Sequence, residues 1–406
     1  MNTTLPDMLP ASEWRERAGL DKLCAALGAG EGEARFVGGA VRDGLLGIPV
    51  KDVDIATLHR PEEVVRRIKA AGFKAVPTGL AHGTITAVLG HWPVEITTLR
   101  RDVSTDGRRA TVAFADDWRE DAARRDFTMN ALYADPRSGA LHDYFDGRAD
   151  LAARRVRFIG DPLARIAEDH LRILRYFRFT ARFGALDPSS PDYAACVAQA
   201  TSLMALSRER IADELLRLLG LPDPAPVVAA MVADEVLKSV LPEITAAGVA
   251  ALRALIAAEA EAGISPDGLR RLAALLPRDP ALADQIGARL RLSNKARQRL
   301  QKALADEDPA TPEALAYRLG PQSAVDRILL GRAFTPAEAA RMQDWAVPRL
   351  PLSGGDLIAM GLAAGPQVAR TLQALERAWI AAGFPPLAET REMAAQMIVA
   401  SLRSAQ

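Results

Sequence analysis

Apolar and polar positions along the chain follow two different patterns. From about Arg35 to Gly160, short β-branched or aromatic runs recur: "RFVGG", "DVDIAT", "GTITAVL", "PVEITTL", "TVAF" and "VRFIG". Each is bounded by Gly, Pro or Asp, which predicts short strands separated by turns. Between them, "PEEVVRRIKAAG" starts with Pro, carries acids early and bases late, and ends on Gly, the signature of a helix. After Pro162 the pattern becomes helical almost throughout, rich in Ala, Leu and Arg, with loops such as "LDPSSPD" and "LPDPAP". An α/β head followed by a long helical remainder is expected, and no fixed-period repeat stands out.

Composition narrows this only a little. The chain has 406 residues, 49% of them hydrophobic and 25% charged, as in a packed globular protein of two to four domains. Lys+Arg and Asp+Glu are 51 each, so any contact with a polyanion must be a local patch. The two cysteines, Cys24 and Cys196, are far apart, and neither they nor the five histidines show metal-type spacing; a reducing cytoplasm is expected. The segment "MNTTLPDMLPASEW" lacks a basic stretch leading into an apolar core, so no secretory leader is expected. No apolar run reaches the roughly 18 residues of a membrane span.

Candidate chemistry begins with "GGAVRDGLLGIPVKDVDIAT", residues 38 to 57. With "RFVGG" on a strand and "AVRDGLLG" on a helix, the N–H groups at the helix start face outward, and Gly38 and Gly39 let phosphate oxygens approach closely. Arg42 adds a charge-assisted donor. In the next strand Asp52 and Asp54 project to one side. Paired carboxylates repel one another, and the pair makes sense around a cation; hard oxygen ligands shared with substrate phosphates suit Mg²⁺. Glu95, in "PVEITTL", is a third acid that could extend the set to two metals.

Two later stretches offer recognition groups. In "RRDFTMNAL", Arg124 and Arg125 suit phosphate or base contacts, and Asp126 suits a ribose 2′-hydroxyl. In "EDHLRILRYFRFTARF", Asp169 and Arg172 are three apart, which on a helix makes them neighbours, with Arg175, Arg178 and Arg182 continuing the stripe. A carboxylate beside a guanidinium accepts from an amine and donates to a ring nitrogen. Cytosine and adenine both present that order; guanine and uracil present the reverse. The reversed bases leave polar groups opposed, at roughly 1–3 kcal/mol each.

"VGGAVRDGLLGIPVKDVDIAT" closely resembles the first motif of the class II tRNA nucleotidyltransferase and bacterial poly(A) polymerase family. The likeness continues in order through "EDAARRDFTMNALYAD", "FDGRADLAARRVRFIGDP", "EDHLRILRYFRFTARFG" and "LSRERIADELLRLL", with Met129 standing where Ile is commoner. It is near-continuous from about residue 34 to 220 and weaker beyond, where "LPLSGGDLIAMGLAAGPQVARTLQALERAW" looks like the family's tail. The resemblance implies an α+β fold: a nucleotidyltransferase head with a small mixed sheet, then an all-helical neck, body and tail. The expected boundaries are an N-terminal segment (1–33), head (34–160), neck with the base-reading helix (161–220), and body and tail that bind tRNA (221–406).

Carried onto this chain, the resemblance makes Asp52 and Asp54 metal ligands with Mg²⁺ as cofactor, and Glu95 a third acid of less settled role. It places Gly38, Gly39, Arg42, Arg124, Arg125, Asp126, Asp169, Arg172, Arg175 and Arg178 around the nucleotide, with Asp126 selecting the sugar. It ties Asp146 and Asp150 to head–neck flexing. "STDGRRATVAF", around Asp106–Arg108, resembles a mobile loop needed for A addition. "LSRERIADELLRLL" is expected to be a stabilising helix with Arg210 and Glu214 at i,i+4. "RLRLSNKARQRLQKAL" is basic and could grip RNA phosphates. The implied activity is template-independent addition of C, C and A to the tRNA 3′ end from CTP and ATP. A poly(A) polymerase and a non-catalytic RNA-binding protein are the alternatives.

Overall fold

The computed structural model describes residues 5–80, 83–106, 109–305, 310–331 and 333–403, and the side chains of 102–112 and 401–403 are outside it. Of the loop expected around Asp106–Arg108, residues 107 and 108 lie outside the described residues. The chain divides into two units, Met1–Pro242 and Glu243–Gln406.

The first unit holds the sheets. After α1 (Leu20–Ala26) come β1 (Ala34–Val37), α2 (Gly39–Leu45), β2 (Val53–Thr57), α3 (Pro61–Ala70), β3 (Lys74–Gly79), β4 (Thr84–Leu89) and β5 (Trp92–Thr98). β6 (Arg100–Asp106) and β7 (Arg109–Phe114) precede α4 (Trp118–Ala123), β8 (Leu132–Ala134), β9 (Leu141–Asp143) and α5 (Gly147–Ala152). Seven strands form one mixed sheet in the order β3-β4-β5-β2-β1-β8-β9, while β6 and β7 form a separate two-stranded ribbon. Among the described residues only the β2–β5 pair is parallel, and it aligns Asp54 with Glu95. Alternation in β2 buries Val53 and Ile55 completely and leaves Asp54 half-buried on the other side.

Helices follow: α6 (Pro162–Glu168), α7 (Leu171–Phe183), α8 (Pro191–Ala198), α9 (Arg208–Leu219) and α10 (Ala225–Ala233). An aromatic cluster fixes α7 to the head: Phe127 lies 4.8 Å from Phe158 and 5.3 Å from Phe179, and Phe158 stacks on Tyr176 at 5.9 Å. Because Phe127 directly follows Asp126, this cluster also sets where Asp126 meets α7.

The expected strand "VRFIG" does not form. Val156, Phe158 and Ile159 are buried, but Phe158 makes only an isolated bridge to Phe127 and gives its N–H to the Asp192 carboxylate at 2.8 Å. The run is apolar because it is core, not because it is a strand. Asp146 stands at positive φ before α5, and Asp150 is buried, accepting from Thr128 Oγ1 at 2.7 Å and Arg157 Nε at 2.8 Å. Gly147 sits so close to the Thr128 carbonyl that a Cβ would lie 2.3 Å from its oxygen. The block therefore ties α5 to the segment after Asp126.

The second unit is helical throughout its described residues: α11 (Ala246–Ala262), α12 (Gly268–Leu275), α13 (Pro280–Arg289), α14 (Asn294–Leu304), α15 (Pro312–Leu319), α16 (Pro321–Leu330), and four further helices from Pro336 to Arg403. Within it a buried ion network joins α11, α12, α14 and α16: Glu259 meets Arg270 and Arg271 at 2.7 Å each, and Arg299 meets Asp326 at 2.5 Å. Among the described residues no helix is long and apolar enough to cross a membrane.

Candidate active site

One cavity of about 450 Å³ gathers most of the expected site. Gly38, Gly39, Arg42, Asp54, Arg124, Arg125, Asp126, Asp169, Arg172 and Arg175 line it, together with Asn130 and Phe179. Asp52, Glu95 and Arg178 are not among its walls.

The glycines turn the chain from β1 into α2. Gly38 has φ +69° and ψ −123°, a conformation for glycine, and a Cβ there would sit 3.5 Å from Arg125 Nη1 and from the Asn130 carbonyl. Arg42 is buried at 5% exposure, stacked on Phe183, donating to Asp43 at 2.8 Å and to the Asn130 amide oxygen. Burial pulls its guanidinium below the usual arginine value, with Asp43 opposing.

The acidic edge is bare. The carboxylates of Asp54, Asp52 and Glu95 accept no hydrogen bond among the described residues, and Asp52 and Glu95 are exposed. Burial, then Glu95, with Asp52 adding, push the Asp54 carboxyl up to about 6 against the pull of Arg125. Uncompensated carboxylates of this kind fit a hard cation. Glu95, the expected third acid, is aligned with Asp54 across the β2–β5 pair, and among the described residues no three acidic, imidazole or thiol side chains converge as a metal-binding group.

A second cluster is fully paired. Asp121, 1% exposed, accepts from Arg124 Nη2 at 2.7 Å, Arg125 Nη2 at 3.1 Å, the Tyr133 hydroxyl at 2.6 Å and the Arg100 N–H at 3.2 Å. Burial would raise this carboxyl, yet Arg125 and Arg124 hold it well below the usual range. The pairing aims Arg124 and Arg125 into the cavity. Asp126 is equally occupied: Oδ1 accepts from Phe127 N–H at 2.8 Å and Asn130 Nδ2 at 3.0 Å, and Oδ2 from Arg175 Nε at 2.8 Å and Nη2 at 2.5 Å. Arg175 and Asn130 outweigh burial and keep it ionised below the ordinary carboxylate range.

Asp169 and Arg172 reach the same cavity by a different route from the one expected. Asp169 is not a helical residue; it is extended (φ −152°, ψ 105°) at the end of α6, and α7 starts two residues later. The pair do not bond each other through their side chains. Asp169 Oδ1 accepts from the Leu171 N–H at 3.1 Å and Oδ2 from Arg210 of α9 at 2.7 Å, while Arg172 Nη1 donates to Glu168 at 2.6 Å. Arg210 and Glu214 likewise do not pair at i,i+4: Glu214, 4% exposed, binds Arg178 at 2.5 Å. Arg178 is thereby turned to α9 rather than to the cavity, and Arg182 bridges to Asp43 at 3.1 Å.

Sequence reasoning missed Asn130, Asp121, Phe179 and Glu168. Asn130 lay within a quoted motif as a polar residue in an apolar run, and Glu168 directly precedes Asp169; both were visible signals. The basic helix α14 is less available than its charge suggests. Arg297 pairs with Asp284 at 2.8 Å, Arg299 with Asp267 at 2.9 Å, and Lys302 donates to the Leu319 carbonyl at 3.2 Å, leaving Lys295 exposed.

The family described as "Poly A polymerase head domain" matches residues 34–157, and "Probable RNA and SrmB- binding site of polymerase A" matches 193–247. The mitochondrial CCA tRNA nucleotidyltransferase 1 of Mus musculus is 35% identical over 386 residues, covering 90% of this chain and 87% of the relative. The CCA-adding enzyme of Leuconostoc citreum is 46% identical over 190 residues, 46% of this chain and 45% of its own. The crystal structure of the Bacillus stearothermophilus CCA-adding enzyme in complex with CTP superposes with a TM-score of 0.74 at 28% identity, covering 96% of this chain and 99% of that one. Enzymes of this kind are generally dependent on a divalent metal. With a mouse relative alike over 87% of its length, and the glycine turn, Asp54 and recognition groups gathered at one cavity, the chain belongs to the CCA tRNA nucleotidyltransferase family.

Proposed function

We infer that this enzyme adds C, C and A to the 3′ end of tRNA from CTP and ATP without a nucleic-acid template. The observation that carries the reading is the single cavity lined by Gly38, Gly39 and the bare Asp54 carboxylate together with Asp126, Asp169 and Arg172. The 3′-hydroxyl oxygen of the tRNA attacks the α-phosphorus, the α–β phosphoanhydride bond breaks, and pyrophosphate leaves. Asp52 and Asp54 would hold Mg²⁺, which when bound lowers the pKa of the attacking hydroxyl and neutralises phosphate charge. Gly38 and Gly39 give room for the triphosphate, and Arg42, Arg124 and Arg125 offset its charge.

Base choice belongs to Asp169 and Arg172. Asp169 takes one donor on each oxygen, from Leu171 N–H and Arg210, and Arg172 donates through Nη1, to Glu168 and the Arg165 carbonyl; a lone pair on each Asp169 oxygen and the other N–H groups of Arg172 keep hydrogen-bonding capacity for a base. Asp169 accepts the exocyclic amine of cytosine or adenine, and Arg172 donates to the adjacent ring nitrogen. Sugar choice belongs to Asp126 together with Asn130, whose neutral amide is the donor a ribose hydroxyl can replace. Arg175 keeps the Asp126 carboxylate in place, and Arg178 supports α7 through Glu214. The 221–406 region binds the tRNA body, with Lys295 as an available cation. A cytoplasmic location is our assignment; the buried, free Cys24 and Cys196 suit a reducing compartment.

The test is a product ladder. A tRNA ending at its discriminator base should gain three nucleotides from CTP plus ATP, then stop, and gain little from ATP alone. A long A ladder from ATP alone on an unstructured RNA would show a poly(A) polymerase instead, and no product at all a non-catalytic protein.

A further inference from the structure

Arg165 in α6 does not line the cavity, yet it joins two of its walls. It is buried at 8% exposure. Its Nη2 donates to the backbone carbonyls of Arg124 and Arg125, 2.6 Å from each. Its Nη1 donates to Glu168 Oε2 at 2.6 Å, and the same oxygen accepts from Arg172 Nη1 at 2.6 Å. The Arg165 carbonyl also accepts from Arg172 Nη1, at 2.8 Å. One side chain thus spans from the peptide units just before Asp126 to the guanidinium that reads the base.

Burying a guanidinium against two neutral carbonyls and half of a shared carboxylate is costly, and apolar packing would serve a purely structural joint better. What an apolar joint lacks is direction: two carbonyls and one carboxylate oxygen fix both the distance and the angle between the segments. We propose that Arg165 is a positioning residue for nucleotide selection, setting the span between the sugar- and phosphate-reading segment at 124–126 and the base-reading Arg172. The proposal rests on the nucleotidyltransferase reading above. A nucleotide of the right base then meets both ends at once, whereas a loosened span admits wrong bases and holds right ones poorly.

The test compares wild type with Arg165→Lys, Arg165→Gln, Glu168→Gln and the double variant Arg165→Lys/Glu168→Gln, adding single nucleotides to tRNA ending at the discriminator base or at CC. Lysine keeps the charge but cannot reach carbonyls and carboxylate together. The KM for CTP and ATP should rise about tenfold in each single variant with kcat within about threefold, and rejection of UTP should weaken about tenfold. Melting of Arg165→Lys should stay close to wild type. The double variant should be no worse than the worse single one, since both break the same link. Unchanged KM and UTP rejection, loss confined to kcat, or additive effects would each overturn the proposal. Should Arg165→Gln fail to fold, Arg165→Lys and Glu168→Gln decide it. A wild-type protein that adds neither nucleotide would sink the functional reading and this proposal together, whereas an active wild type with indifferent variants would sink only this one.

Discussion

Asp121 and Asp54 lie in the same half of the chain, and their surroundings move them in opposite directions. Asp121 is met by two guanidiniums, a phenol and a backbone N–H, and is held far below the normal carboxylate range. The Asp54 carboxylate accepts no hydrogen bond among the described residues and, by burial and the charges of Glu95 and Asp52, is pushed up to about 6. Asp169 stands between them, with one oxygen bound to Arg210 and one to a backbone N–H. A carboxylate whose partners are all supplied by the fold is scaffold. One left without them is waiting for something from outside, and one half-supplied is oriented yet still able to read a ligand.

The largest effect should come from the bare end of this series. Asp54→Ala or Asp52→Ala should lower nucleotide addition by roughly a thousandfold or more. In metal-free buffer either variant should melt at the wild-type temperature or above, because a like charge is gone. Wild-type-like turnover in both would break the comparison at its root.

Asp121→Asn should do the reverse. Removing one partner of a buried network costs roughly 3–5 kcal/mol, a fall in melting temperature on the order of 10 °C. Since Asp121 is depressed in the folded state, its stabilisation is present above the unfolded value near pH 4 and is lost as pH falls through the lower folded value. The gap between wild type and variant should therefore be full at pH 7 and close progressively below about pH 4. A gap that did not change with pH would mean that charge is not what Asp121 contributes.

Asn130→Ala sharpens the middle ground. Asp126 would lose one of its four donors, and selection of CTP over dCTP should fall by roughly tenfold while use of CTP itself changes less. Equal selectivity in the variant would move sugar choice away from this network. The smallest effect is expected in the second unit, where most bases of α14 are already paired: Lys295→Glu should weaken tRNA binding by about threefold, less at high salt.

The sequence made the acidic edge and the glycine turn legible because both are local. Residues 34–57 form strand, turn, helix and strand from their own spacing, and the burial of Val53 and Ile55 forces Asp54 to the open side. Pairing was not legible, because partners lie far apart along the chain. Arg175 finds Asp126 across 49 residues, Arg210 finds Asp169 across 41, and Arg178 finds Glu214 across 36. Read locally, those arginines form a helical stripe and Arg210–Glu214 an i,i+4 pair; the fold spends them elsewhere. "VRFIG" misled because a buried coil and a buried strand share one composition. β8 and β9 escaped because three residues are too few to alternate.

The most direct measurement is single-nucleotide addition by Asp169→Ala with each of the four nucleoside triphosphates in turn, on tRNA ending at the discriminator base and on tRNA ending at CC. If one half-paired carboxylate reads both bases, CTP use on the first substrate and ATP use on the second should fall together, by about a hundredfold, while UTP and GTP are rejected less strictly than by wild type. CTP addition that survives intact while only ATP addition fails would contradict a shared protein template for the two bases.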